Sequence, residues 1–353
     1  MTTLEEVGRL RLVAQRLAGP RPAGAAEVVG RLTAVQAQDL PGAVTSVALR
    51  TASRLREDVE AALDAGEIVR SWPMRGTLHL VAAEDLTWLL DLLAPRMLAA
   101  SAGRRAGLGL DEATCARPRA LTEAALRGGR GLRRRALLDA WAAAGISVEG
   151  QRGAHLLGHL AQTGVICLGP LDGAEQTVVL VGEWIRDPRR PDRDEALREL
   201  ALRFFRGHGP ATVSDLARWA GLTLRDARAG SADARSELAV VGVDGIEHLM
   251  DPATPDRLAA CRDEAGGLFL LPGFDEFVLG YGDRRAVLDP AFAEQIVPGG
   301  NGMFRSTVVH RGRIVGTWRW TGRGSQRTPT ATPFTVFPDG VSQGFPAAAA
   351  ALP

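Results

Sequence analysis

Apolar residues recur at helical spacing near the start of the chain: Leu4, Val7, Leu10, Leu12, Val13 and Leu17. The spacing predicts a helix over 4–18, stopped by Gly19-Pro20. A second helix is expected over 25–38, ending near Pro41-Gly42. A third is expected over 54–65, with Ser53 as N-cap and Gly66 as C-cap. Residues 68–81 then read as a two-stranded ribbon, and 84–93 as a closing helix. Helix, short turn, helix, helix and ribbon is the winged-helix plan.

The same layout returns twice. Helices are expected over 118–126, 133–144 and 151–162, followed by two apolar runs around Asp172-Gly173, a good hairpin signal. After a linker at 186–193 with two prolines, a helix is expected over 194–205. Residues 209–223 then give the strongest helix-turn-helix signal in the chain: a capped helix of about eight residues ends at Gly221, and another begins at once. A ribbon over 238–249 completes the third copy. From about residue 254 the pattern turns to strands: 268–272 as a buried strand, and 306–320 as a hairpin turning at Arg311-Gly312. The tail at 347–351 carries little information. The expected fold is α+β, with three tandem winged helix-turn-helix units at 1–110, 111–190 and 191–253, and a small C-terminal β domain at 254–353.

With 353 residues, several domains are expected. Hydrophobic residues make up 46% and charged residues 24%, as in soluble globular proteins. The net charge is only +1, so any affinity for nucleic acid must come from local patches. All 42 basic residues are arginine, which contacts phosphate and guanine in a forked geometry that lysine cannot copy. Cys115, Cys167 and Cys261 are scattered without CxxC spacing, which points to a reducing cytoplasm and away from disulfides or zinc. The N-terminus has no signal-peptide form, and the apolar runs are too short for a membrane span.

The arginines cluster. After Val297, Arg305, Arg311, Arg313, Arg319, Arg323 and Arg327 face the single acid Asp339, on a hairpin and its extension. That suits phosphate contact and groove insertion. Arg127, Arg130, Arg133, Arg134 and Arg135 form a second cluster at the front of a helix. On one ribbon, Trp72, Arg75 and His79 offer stacking, anion contact and hydrogen bonding, with Arg75, Thr77 and His79 on one face of an ideal strand. A wing packed on its own helices explains the same residues. No GxSxG, phosphate loop or metal-spaced His pair is present, and neither cofactor nor metal is expected. His155 and His159 lie four apart on a helix with no carboxylate motif beside them, which suits core or surface better than a ligand pair. Gln36 and Gln38 stand at i and i+2, which do not share a helix face. If the helix unwinds before Pro41-Gly42, both can point into one cleft.

Four stretches together resemble the AlkZ-like (AlkZ/YcaQ superfamily) winged-helix DNA glycosylases: 35–38, 72–79, 271–284 and 312–319. The resemblance covers nearly the whole chain. It implies a C-shaped, positively lined surface around duplex DNA, and a monomer that excises bulky or crosslinking N7-alkylguanine. It also implies a place in base excision repair and in self-resistance to genotoxic natural products. Gln36 and Gln38 match the family's Gln-x-Gln branch, which is narrower in lesion choice than the Gln-x-Asp branch, and the resemblance makes them the water-positioning pair. Arg75, His79, Arg284, Arg305, His310, Arg311, Arg313 and Arg319 are the expected DNA contacts, with the turn at 310–313 as groove probe and Trp72, Thr77 and Asp283 as support. A non-catalytic winged-helix transcriptional regulator and a protein-binding scaffold remain the alternatives.

Overall fold

The computed structural model describes residues 2–322 and 327–353. The chain forms two compact units, one from Met1–Val59 and Leu197–Pro353, the other from Glu60–Ala196. This partition crosses the expected boundaries. The first two helices of the first copy and its ribbon fall in different units, because the N-terminal helix joins the core of the C-terminal half. Val7, Leu10, Val13 and Leu17 pack in one cluster with Phe277, Val278, Val287 and Ile314. Sequence distance hides such closure.

In the first unit the helix Leu4–Ala14 starts at Thr3, whose side chain accepts from Glu6 N. The next helix, Ala25–Leu32, ends six residues before the expected 38. Thr33 takes φ 67° and ψ −45°, which cannot continue a right-handed helix, and Val35–Gln36 is extended. Pro41, expected as a stop, instead lies in the first turn of the helix Leu40–Ala48, where its missing N–H costs nothing.

Residues 193–250 keep the expected order: helices Arg193–His208, Val213–Ala220 and Leu224–Ala234, then the ribbon Ala239–Val243 and Ile246–Met250. Thr212 and Asp215 form a reciprocal capping box, and Gly221 ends that helix in the left-handed conformation. Beyond 254 helical turns and strands alternate. An antiparallel sheet runs in the order Thr328–Pro333, Arg313–Thr321, Thr307–His310, Leu268–Leu271. The helix Val341–Ala350, unforeseen in the tail, covers it through Val341 and Ala349 against Leu270, Val308 and Trp318.

In the second unit the helices Glu112–Leu126, Arg134–Ala143 and Arg152–Gln162 enclose a core of Leu126, Leu137, Trp141, Leu156 and Leu160. Its sheet runs Thr77–Ala82, Ile68–Met74, Ile166–Asp172, Glu175–Leu180, Leu132–Arg133. The helix after the first ribbon, expected to end at 93, runs as Leu86–Gly107 with Pro95 inside it.

Candidate functional site

Gln36 sits at a bend where local preference is overruled. Thr33, β-branched and fully buried, holds a left-handed φ, and its hydroxyl has no hydrogen-bond partner. Backbone strain of this kind costs about 1–3 kcal/mol and persists only where the surroundings over-determine it. A second strained residue, Phe274 at φ 61°, stands immediately before Asp275-Glu276. The two strained segments meet: Gln36 N donates to Glu276 Oε1 at 3.0 Å.

Gln36 is buried, at 6% exposure, and Gln38 is exposed. The Gln36 carboxamide oxygen accepts from Gln38 N at 3.2 Å, which fixes which end of the amide faces which way. The expected cause of the pair's convergence was a frayed helix end. The structure has instead a short strand, with one glutamine tucked in and the other turned out.

Around this bend lies a polar cluster that sequence reasoning missed. Asp275 forms a forked pair with Arg50, at 2.8 and 2.9 Å, and both side chains are fully buried. Ser46 Oγ donates to Asp275 at 2.6 Å, and Gln15 Oε1 accepts from Arg50 at 2.8 Å. Glu276, also fully buried, accepts from Trp219 Nε1 at 2.9 Å and lies 3.4 Å from His208 Nε2. Tyr281 donates its hydroxyl to His208 O at 2.7 Å, and burial pushes that hydroxyl well above the usual tyrosine range. A faint signal was available: Asp275-Glu276 interrupts an otherwise apolar run from Leu268 to Leu279.

The same motif ends at Asp283-Arg284. Asp283 pairs with Arg285 at 2.7 Å, and that neighbour holds its carboxyl below the usual range. Arg284 Nε donates to Val278 O at 2.8 Å, and its guanidinium stands 5.3 Å from the Phe304 ring centre. Burial, then the charge of Arg218, lowers its pKa. Both lie on a cleft of about 610 Å³ with Arg218, Arg285 and Phe304.

The turn expected as groove probe packs on one side against its own chain. The turn Arg311-Gly312 is docked: a Cβ on Gly312 would stand 2.6 Å from Arg9 N, and one on Gly8 would stand 2.3 Å from Gly312 O. Arg313 donates to Arg285 O at 2.9 Å, and Ile314 N to Val287 O at 2.7 Å. Gly312 is thus packed against the chain's own first helix, while Arg311 is exposed. His310 beside it has its pKa lowered by burial, then by Arg311 and Arg9. Arg305 and Arg319 are exposed, and Arg323 lies outside the described residues.

In the second unit His79 is fully buried, which corrects its expected direct contact with DNA. Its Nδ1 lies 2.9 Å from Thr77 O, and Arg75 reaches its Nε2 at 3.0 Å. That pattern calls for Nδ1–H donating to the carbonyl and Nε2 accepting from Arg75. His79 therefore orients the turn arginine. Trp72 packs on the apolar core of its own unit, and the Thr77 hydroxyl is buried without a partner. In the second arginine cluster, Arg133 pairs with Asp172 at 2.6 Å and Arg135 with Asp139 at 3.0 Å, so part of that charge is neutralised.

The first unit thus holds the helix-helix-ribbon segment of residues 213–250 and the Gln36-Ala37-Gln38 bend, whose Gln36 N–H is taken by the buried Glu276. The chain belongs to the AlkZ-like DNA glycosylase family, whose model matches residues 29–353. It is a DNA glycosylase, a hydrolase of N-glycosidic bonds, and the regulator and scaffold readings fall away. It is 31% identical over 312 residues to an interstrand DNA cross-link repair glycosylase of Streptomyces sahachiroi, covering 83% of this chain and 81% of the relative. The solved structure of the S. sahachiroi DNA glycosylase AlkZ is similar over 99% of this chain and 95% of that one, with TM-score 0.79 and 27% identity. Among the described residues, no helix is long and apolar enough to cross a membrane.

Proposed function

We propose that the protein is a monofunctional glycosylase that excises bulky N7-alkylguanine from duplex DNA, with Gln36 and Gln38 positioning the attacking water. The observation that carries this reading is the Gln36-Ala37-Gln38 bend, unwound from the helix before it and pinned to Glu276. N7 alkylation places positive charge on the purine and weakens its bond to C1′. The water oxygen bonds to C1′ while the C1′–N9 electron pair leaves with the purine and cancels its charge. The water's proton passes to solvent. Such a leaving group needs no strong acid, so the protein's task is to hold water against a sugar that is becoming an oxocarbenium ion. Carboxamides can both donate to and accept from that water. The chain has no lysine to form a Schiff base, so the product is an abasic site.

Three winged-helix units and the C-terminal β region form a C-shaped, positively lined seat for the duplex, and the protein acts as a cytoplasmic monomer. Exposed Arg305, Arg311 and Arg319, and the oriented Arg75, contact phosphates. Arg218 and Arg284, which repel each other in their cleft, gain from a phosphate between them. The named activity of the S. sahachiroi relative makes crosslinked purines a second substrate class to try, and self-resistance a setting for the enzyme.

The test is release of modified guanine from an N7-alkylated duplex by wild type, Gln36→Ala and Gln38→Ala. Each variant is expected to lose about a hundredfold in single-turnover rate. No release of any lesion, or full rate in both variants, defeats the reading.

A further inference from the structure

The acid behind the bend is conspicuous for its partners. Glu276 lies in the four-residue helical turn Glu276–Leu279, whose first residues are capped by Asp275, itself locked to Arg50. Its two oxygens are divided. Oε1 takes the backbone N–H of Gln36, and Oε2 faces the indole N–H of Trp219 and the ring of His208. Donors converging on both oxygens match an acceptor-only carboxylate. The cluster is caged. The His208 ring stacks 4.8 Å from Phe204, and a Cβ on Gly280 would come within 2.7 Å of His208 Cδ2. His208 Nδ1 is buried with no hydrogen-bond partner, so the imidazole is turned toward Glu276 at the expense of its other nitrogen. A polar atom left unsatisfied in the interior is destabilising, so the ring's orientation is set by its Glu276 side.

We infer that Glu276 is a positioning residue for base excision: braced by Trp219 and His208, it holds the Gln36 backbone and so sets the direction of both glutamine side chains. The inference rests on the reading of Gln36 and Gln38 as the water-positioning pair. Thr33 strains the entry to the bend, and Asp39, the residue at its exit, makes no side-chain cap to the helix that follows. A displacement of about 1 Å in a positioned water can cost a hundredfold in rate. Replacing one carboxylate oxygen by an NH₂ group turns an acceptor into a donor. In Glu276→Gln either the Gln36 N–H or the Trp219 and His208 side then faces a second donor.

The test uses the full chain and a labelled duplex carrying one N7-guanine adduct of a nitrogen mustard. Glu276→Gln is expected to keep duplex affinity within about twofold while its single-turnover excision rate falls at least about tenfold. Trp219→Phe removes one donor and keeps the ring, and is expected to lose about threefold. Hydrogen exchange of the 33–39 peptide is expected to quicken in Glu276→Gln while the 343–350 peptide stays unchanged. That readout does not depend on turnover, so it stands even if the reading of Gln36 and Gln38 fails. Full excision rate in a folded Glu276→Gln, in an assay where Gln36→Ala is slow, overturns the inference. So does unchanged exchange at 33–39. If Gln36→Ala and Gln38→Ala both keep full rate, the site reading fails, and Glu276 then has nothing to position.

Discussion

Two hairpins in this protein share one turn and have opposite fates. Arg75-Gly76 and Arg311-Gly312 both place two successive residues at positive φ, 54° and 70° in the first and 51° and 76° in the second. Both are tight two-residue connections whose twist suits the flanking strands. Gly76 is exposed, and a Cβ there would meet only the mobile end of Met97 at 3.3 Å. Gly312 is buried, with the backbone of Gly8 and Arg9 against it. The dipeptide specifies the turn and says nothing about what lies beyond it. One turn is a tip with an exposed glycine beside an oriented arginine, and the other has its glycine packed on the first helix.

The largest effect is expected where the docked hairpin's unit is braced: Asp275→Ala strands Arg50 without its partner and should cost about 3–5 kcal/mol, measured as the shift of the urea midpoint. Next come the glycines. Gly312→Ala adds backbone overlap to left-handed strain and should cost about 2–4 kcal/mol, whereas Gly76→Ala should cost about 1–2 kcal/mol from strain alone. Equal losses in thermal unfolding would show that the two turns are not differently packed. Smaller still, Arg75→Ala should weaken duplex binding and reduce the slope of log K against log salt by about 1. An unchanged slope would remove Arg75 from the DNA contacts. The smallest effect belongs to His310. Its folded pKa lies below the ordinary 6.5, so the unfolded chain binds the proton more readily. Its contribution to stability is therefore present above 6.5 and lost as pH falls through 6.5 toward the folded value. An NMR titration midpoint at or above 6.5 would contradict this.

Local chemistry was legible in the sequence. The capping box at Thr212 and Asp215, the left-handed Gly221 and the glycine turns of the ribbons follow from residues a few positions apart. Pro41 was read with the wrong sign, because proline ends one helix as readily as it starts another. The break at Thr33 had no local signal, since a β-branched residue is a poor choice for positive φ and only tertiary contacts hold it there. Of the candidate site, the glutamines were visible and their setting was not. Glu276 meets Gln36 across 240 positions and Asp275 meets Arg50 across 225, and no periodicity carries information over that span.

The most direct test of the account is single-turnover release of N7-alkylguanine by the double variant Gln36→Ala, Gln38→Ala, set against its affinity for the same duplex. Binding is expected within about twofold of wild type, and a release rate lower by about a hundredfold or more. Release at the wild-type rate with binding intact would contradict it, and would move the chemistry away from the bend between Thr33 and Asp39.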